Sequence, residues 1–135
     1  MESIKYPFLM LVGGTLYYSM EIINRGYSHW TMAVVGGICF VLMGLVSEYN
    51  RWNLSFPGLM GLSALIITTI EFIAGVILNL WLHLDIWDYT ELPFNVLGQI
   101  CLPFTILWFL LSFPALLLNK YLRSWFPDYH RQSIL

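Results

Sequence analysis

Four stretches of this chain run for about 20 mostly apolar residues each, the length a helix needs to cross a lipid bilayer. They cover roughly residues 7–23, 31–47, 58–82 and 94–118. Inside lipid no water is available to backbone N–H and C=O groups, so stretches of this kind are helical. The composition agrees: of 135 residues, 59% are apolar and 10% charged, against about 25% charged in soluble domains. The expected fold is therefore all-α and integral to the membrane, with four transmembrane helices in one domain, 1–135. Pro7 and Pro57 stand at or just before expected helix starts, where a missing N–H costs little. Pro103 and Pro114 are expected to interrupt the fourth span. Trp30, Trp52, Trp81, Trp87 and Trp125 fall near the expected span ends, as an interfacial belt requires.

Net charge is −2, and no basic run is present, which argues against a nucleic-acid partner. The first apolar stretch lacks a small-x-small cleavage site and reads as a retained span. Cys39 and Cys101 lie in apolar stretches and read as small packing residues. Lys5, Arg51, Lys120, Arg123 and Arg131 occupy the N-terminus, the second connection and the tail. Those three regions share one side of a four-span protein, so both termini are expected in the cytoplasm of a multi-pass cell-membrane protein. The tail, 120–135, places Leu122, Trp125 and Phe126 beside Lys120 and Arg123. It reads either as a segment lying on the inner membrane surface or as a frayed helix end.

The halves, about 1–50 and 51–119, resemble each other. An offset of 62 aligns Tyr27 with Tyr89, Val34 with Val96, Gly36 with Gly98, Ile38 with Ile100 and Cys39 with Cys101. Glu21 and Glu71 align at an offset of 50. Two spans per half imply two tandem helical hairpins of the same orientation, related by a pseudo-twofold axis along the membrane normal.

Repeats of this kind place a polar site at their interface, and ionisable residues within spans are costly enough to mark function. Glu21 and Glu71 each lie roughly 20 Å along their helices, at 1.5 Å per residue. Asn79 stands two turns beyond Glu71 on the same face, with Gly75 between them leaving room for a neighbour or a ligand. Asn95 and Gln99 enter from the outer end of span four. Arg25, four residues after Glu21, is placed for a helical ion pair. Glu71 either pairs with Arg25 or His29 or carries a proton. His29 reads as an interfacial hydrogen-bonding residue or as a proton relay. The connection 84–91 is acidic and aromatic, and its apolar residues suggest a loop dipping back onto the bundle. Asp88 within it either caps a turn or forms an outer mouth that attracts cations. The candidate binding site is thus Glu21, Arg25, His29, Glu71, Asn79, Asp88, Asn95 and Gln99. No tight ligand spacing supports a metal, and no cofactor motif is present. Ala33 and Gly37 form a small-xxx-small pair suited to close helix packing, within the chain or between chains. There is no phosphate-binding glycine loop, G-x-S-x-G or HExxH. Asn53-Leu54-Ser55 matches a glycosylation acceptor on a connection expected to be cytoplasmic.

Several of these residues follow a known pattern: Glu21 with Asn24-Arg25-Gly26, Glu71 with Gly75, Trp87-Asp88-Tyr89, then Asn95, Gly98, Ile100-Cys101-Leu102 and Trp108. Over most of its length the chain resembles the small four-span family labelled "putative ABC-transporter permease", which includes transmembrane protein 229. The chain departs from that pattern at 27–32, where a proline-rich segment is usual. It departs again at Thr90, where serine is usual, and at Gln99, where arginine is frequent. The resemblance implies a membrane protein with a transport-related role.

Three functions fit the sequence. The first is a permease, channel or transporter component with a polar layer of Glu21, Arg25, Glu71, Asn95 and Gln99, working as a homodimer because four spans make a thin conduit. The second is an intramembrane enzyme on a lipid or isoprenoid, with Glu71 and His29 or Asp88 as acid and base. The third is a non-catalytic partner of other membrane subunits, its charges specifying packing alone.

Overall fold

The structure, a computed structural model, describes residues 2–26, 29–50 and 52–126, without the side chains of Glu2, Ser3, Asn24 and Arg25. Tyr27, Ser28, Arg51, His130 and Arg131 lie outside the described residues. Four helices succeed one another: α1 (Glu2–Arg25), α2 (Trp30–Tyr49), α3 (Phe56–Gly75) and α4 (Leu102–Arg123). The helix of α3 continues as a wider π-helical turn over Val76–Trp81. Among the described residues, three helical stretches are long and apolar enough to cross a membrane: Trp30–Tyr49, Phe56–Trp81 and Leu102–Arg123.

Local chemistry sets the helix ends. Gly26 closes α1 in the left-handed region, φ 83, and returns its N–H to Ile22 O at 2.7 Å, the usual glycine stop. The ring Nδ1 of His29 accepts the Thr31 amide at 3.2 Å and meets Thr31 Oγ1 at 2.7 Å. It thereby caps α2, whose first amides have no partner in the helix itself. Ser55 caps α3 by accepting Gly58 N at 3.4 Å, with Pro57 in the first turn. Asn50 pins the approach to α3 through a reciprocal pair with Leu54, both bonds at 2.9 Å.

Three expectations about the helices need correction. Pro7 lies inside α1, not at its start, and costs that helix one bond near its end. Pro103 is the second residue of α4, where the absent N–H is harmless. The fourth helix begins at Leu102, not Phe94. Phe94 and Leu97 have φ of 55 and Gly98 has φ 72, while the Asn95 side chain takes up local backbone groups. Left-handed residues and a competing amide exclude a helix there. Pro114 is internal to α4 as expected.

The chain divides into two compact units, Met1–Glu48 with Ala115–Leu135, and Tyr49–Pro114. Residues 34–39 are helical in α2, whereas the aligned residues 96–101 form turns. The likeness between those stretches thus joins unlike backbones. In the first unit Leu9, Phe40 and Leu122 form a buried cluster with Tyr6, Phe8, Val12 and Leu118 around it. Gly37 lies against Met10 and the Ala33 carbonyl against Gly14, so this small-residue pair packs within the chain. Trp125 and Phe126 face Phe8, with ring centroids 6.0 and 5.4 Å away. The segment after α4 therefore packs back onto α1 up to Phe126, while residues 127–135 lie outside the description. Asn119, fully buried, donates to Phe40 O at 2.9 Å and accepts from Arg123 Nε at 2.7 Å.

The same unit holds an ion pair that sequence spacing does not reveal. Lys5 Nζ meets Glu48 Oε1 at 2.6 Å, with the two side chains 2% and 4% exposed. Removing one member of a buried pair strands the other charge, at a cost of about 3–5 kcal/mol. Lys5→Met should lower stability by about that amount, whereas Lys5→Met combined with Glu48→Leu should recover most of it. Unfolding in dodecyl maltoside by titration with dodecyl sulfate, followed by circular dichroism, compares the two. Equal losses in both would show that the pair contributes packing alone.

Candidate functional site

The second unit gathers most of the polar residues singled out in the sequence. Glu71, Gly75 and Asn79 stand four apart and are all buried, so the change to the π-helical turn keeps one inward face. Glu71 is 5% exposed. Its Oε2 accepts the Tyr89 hydroxyl at 3.2 Å and its Oε1 accepts Trp108 Nε1 at 3.4 Å. Tyr89 stacks on Phe104, centroids 4.7 Å apart and planes 12° apart, and Phe104 leans on Trp108 at 6.1 Å. One carboxylate is thus held by neutral donors from the connection and from α4.

Residues 82–101 leave the helix and fold back onto their own unit, as the apolar content of 84–91 suggests. Ile86 and Trp87 are 7% and 6% exposed. Trp87 therefore does not belong to an interfacial belt: it donates Nε1 to Gln99 O at 3.0 Å inside the unit. Trp30, Trp52 and Trp81 are 69%, 75% and 73% exposed, as residues of such a belt would be.

A backbone that abandons the helix needs new partners for its N–H and C=O groups, and three amide side chains supply many of them. Asn79 accepts Ile86 N at 2.7 Å and donates to Gln99 Oε1 at 2.8 Å. Gln99 returns its Nε2 to Leu97 O at 2.9 Å. Asn95 donates to Leu92 O and Thr90 O at 2.9 and 3.2 Å and accepts Gly98 N at 3.1 Å. Backbone bonds close the fold: Tyr89 N to Gly98 O at 2.7 Å and Val96 N to Ile100 O at 2.9 Å.

Gly75 is filled by a neighbour. A Cβ there would lie 2.6 Å from Gln99 Oε1 and 3.0 Å from the Trp87 ring, so glycine is what lets the connection approach α3. Gly98 takes φ 72, and a side chain there would also meet Thr90.

The remaining candidates are spread over both units. Asp88 is exposed and accepts the Thr90 amide through Oδ1 at 3.0 Å, the turn-capping alternative. Glu21 is half-buried on α1 of the first unit. His29, in the same unit, caps α2 and lies 5.6 Å from the Trp30 ring. The Arg25 side chain lies outside the described residues. Cys39 and Cys101 are both buried. Among the described residues, no group of three or more His, Cys, Asp and Glu is placed to hold a metal ion.

Tyr89 and Trp108, the donors to Glu71, were not among the candidates. Their signal was present in the Trp-Asp-Tyr motif and in the later tryptophan of the family pattern.

A family profile described as "Putative ABC-transporter type IV" matches residues 6–133. The chain belongs to this family. No curated protein and no solved structure matches it significantly. The chain is accordingly a small multi-pass membrane protein of a family assigned to ABC transporters.

If the amides support the connection, their loss should loosen it. Asn79→Ala leaves the Ile86 amide and Gln99 Oε1 without their bonds, at roughly 1–3 kcal/mol for each stranded group. Hydrogen exchange in detergent should then quicken across residues 82–101 while the Trp30–Tyr49 helix keeps its protection. Unchanged exchange in 82–101 would show that Asn79 does not hold the connection.

Proposed function

We propose that this protein is a transport-related membrane component, a permease, channel or transporter subunit, in which Glu71 is the ion- or proton-handling group. One observation carries the reading: a buried carboxylate in a membrane-span helix is held by a tyrosine hydroxyl and an indole N–H. An acid retained in such a helix is costly unless it works, and hydrogen bonds from an O–H and an N–H lower the cost of burying it. The family's description points the same way. Asn79, Asn95, Gln99 and Asp88 organise the connection that brings Tyr89 to Glu71. On α1, Glu21 and Arg25 stand four residues apart in sequence, the spacing of a helical ion pair. The reading places both termini in the cytoplasm and the spans as two tandem hairpins of like orientation, and it takes the working unit to be a homodimer.

A second reading, a non-catalytic subunit, is favoured by a different observation. Many of the described polar groups of 79–99 are engaged by bonds within the unit, which suits a structural role.

Glu71→Gln separates the two. It keeps an acceptor for Tyr89 and removes the charge. Purified protein in liposomes would be followed with an entrapped pH dye under a potassium diffusion potential, and with a sodium dye under a sodium gradient. The transport reading expects flux above that of empty liposomes, abolished by Glu71→Gln at unchanged elution volume. No flux from the native protein, with altered elution of the variant, would leave the subunit reading standing.

A further inference from the structure

The connection between α3 and α4 turns apolar side chains outward as well as inward. Phe94 and Leu97 are 79% and 63% exposed, and Val96 is 48% exposed. Phe94 and Leu97 hold φ of 55, a conformation bulky residues adopt only where their surroundings impose it. Asn95 imposes it, through bonds to Thr90 O, Leu92 O and Gly98 N that close the turn around it. The tip is therefore a built feature of the chain.

Its electrostatic setting is one-sided. Asp85, Asp88 and Glu91 are exposed in the same segment, and no lysine or arginine occurs between Arg51 and Lys120. We propose that this turn docks into a partner protein that presents an apolar socket rimmed by lysine or arginine. Phe94 and Leu97 enter the socket, and the carboxylates select its rim and speed encounter.

The lipid surface fits less well on two counts. Non-helical backbone is not tolerated against hydrocarbon, and Phe94 and Leu97 stand on such backbone. Segments that lay apolar side chains into a membrane surface are rich in basic residues on their polar face, whereas the charged residues of 84–101 are Asp85, Asp88 and Glu91. The proposal is independent of any role for Glu71.

The test uses the full chain. A benzoylphenylalanine at position 94, irradiated in the membranes of expressing cells, should yield one adduct with a different protein. The cross-linked peptide should carry lysine or arginine, and high salt or Asp85→Asn with Glu91→Gln should weaken the adduct severalfold. In parallel, Phe94→Cys carrying a spin label is placed in phosphatidylcholine–phosphatidylglycerol vesicles; the native cysteines are buried. The label should be relaxed by a water-soluble nickel chelate. Relaxation by oxygen alone, with adducts only to lipid, would overturn the proposal in favour of the membrane. An adduct only to a second copy of this chain, or one indifferent to the acidic substitutions, would overturn it as well.

Discussion

The second unit depends on a backbone that leaves the helix at Trp81 and does not resume it until Leu102. A helix satisfies its own N–H and C=O groups, and a turn segment must find partners elsewhere. Asn79 reaches forward to Ile86 and Gln99, Asn95 closes its own turn, and Gln99 joins the two through Leu97. The π-helical turn at Val76–Trp81 belongs to the same arrangement: Leu82 N bonds Ile77 O at 3.0 Å and Leu84 N bonds Leu78 O at 2.9 Å. The helix thus widens as it unwinds. Gly75 then lets Gln99 and Trp87 approach α3. With the connection seated there, the Tyr89 hydroxyl reaches Glu71.

The helices were legible because an apolar run in a weakly charged chain has one cheap solution in lipid. The start of α4 was not. Residues 96–101 continue the apolar run of the fourth span, and hydropathy carries no information about φ. What ends the helix is the left-handed turn at Leu97 and Gly98 and the bonds of Asn95, and neither leaves a mark on periodicity. Glu71 stood out as an ionisable residue among apolar ones. Its donors did not, because Tyr89 and Trp108 lie 18 and 37 residues away. Lys5 and Glu48, 43 apart, were invisible as a pair for the same reason. Lys5 counted toward sidedness, and Glu48 carried no expectation at all. Trp87 was misplaced because tryptophan near a span end suits an interface as well as a packed loop, and only the Gln99 carbonyl decides between them.

The two units bury charge by different means. In the first, ammonium meets carboxylate at 2.6 Å, so each charge offsets the other and both are fixed in place. Such pairs specify geometry more than they add stability. In the second, an O–H and an N–H donate to Glu71, which orients the carboxylate and eases its burial.

Any change at the Glu71 carboxylate bears on its bonds to Tyr89 and Trp108. Tyr89 is tied through its own amide to Gly98 and through its ring to Phe104, and Trp108 is part of α4. A change at the carboxylate is therefore felt in the connection and at the start of α4 together. Conversely, anything that moves the 94–97 turn pulls on Gly98, on the Tyr89 amide bonded to it, and so on the hydroxyl facing Glu71. Three hydrogen bonds, Gly98 N to Asn95 Oδ1, Tyr89 N to Gly98 O and Tyr89 OH to Glu71 Oε2, link the turn to the buried acid.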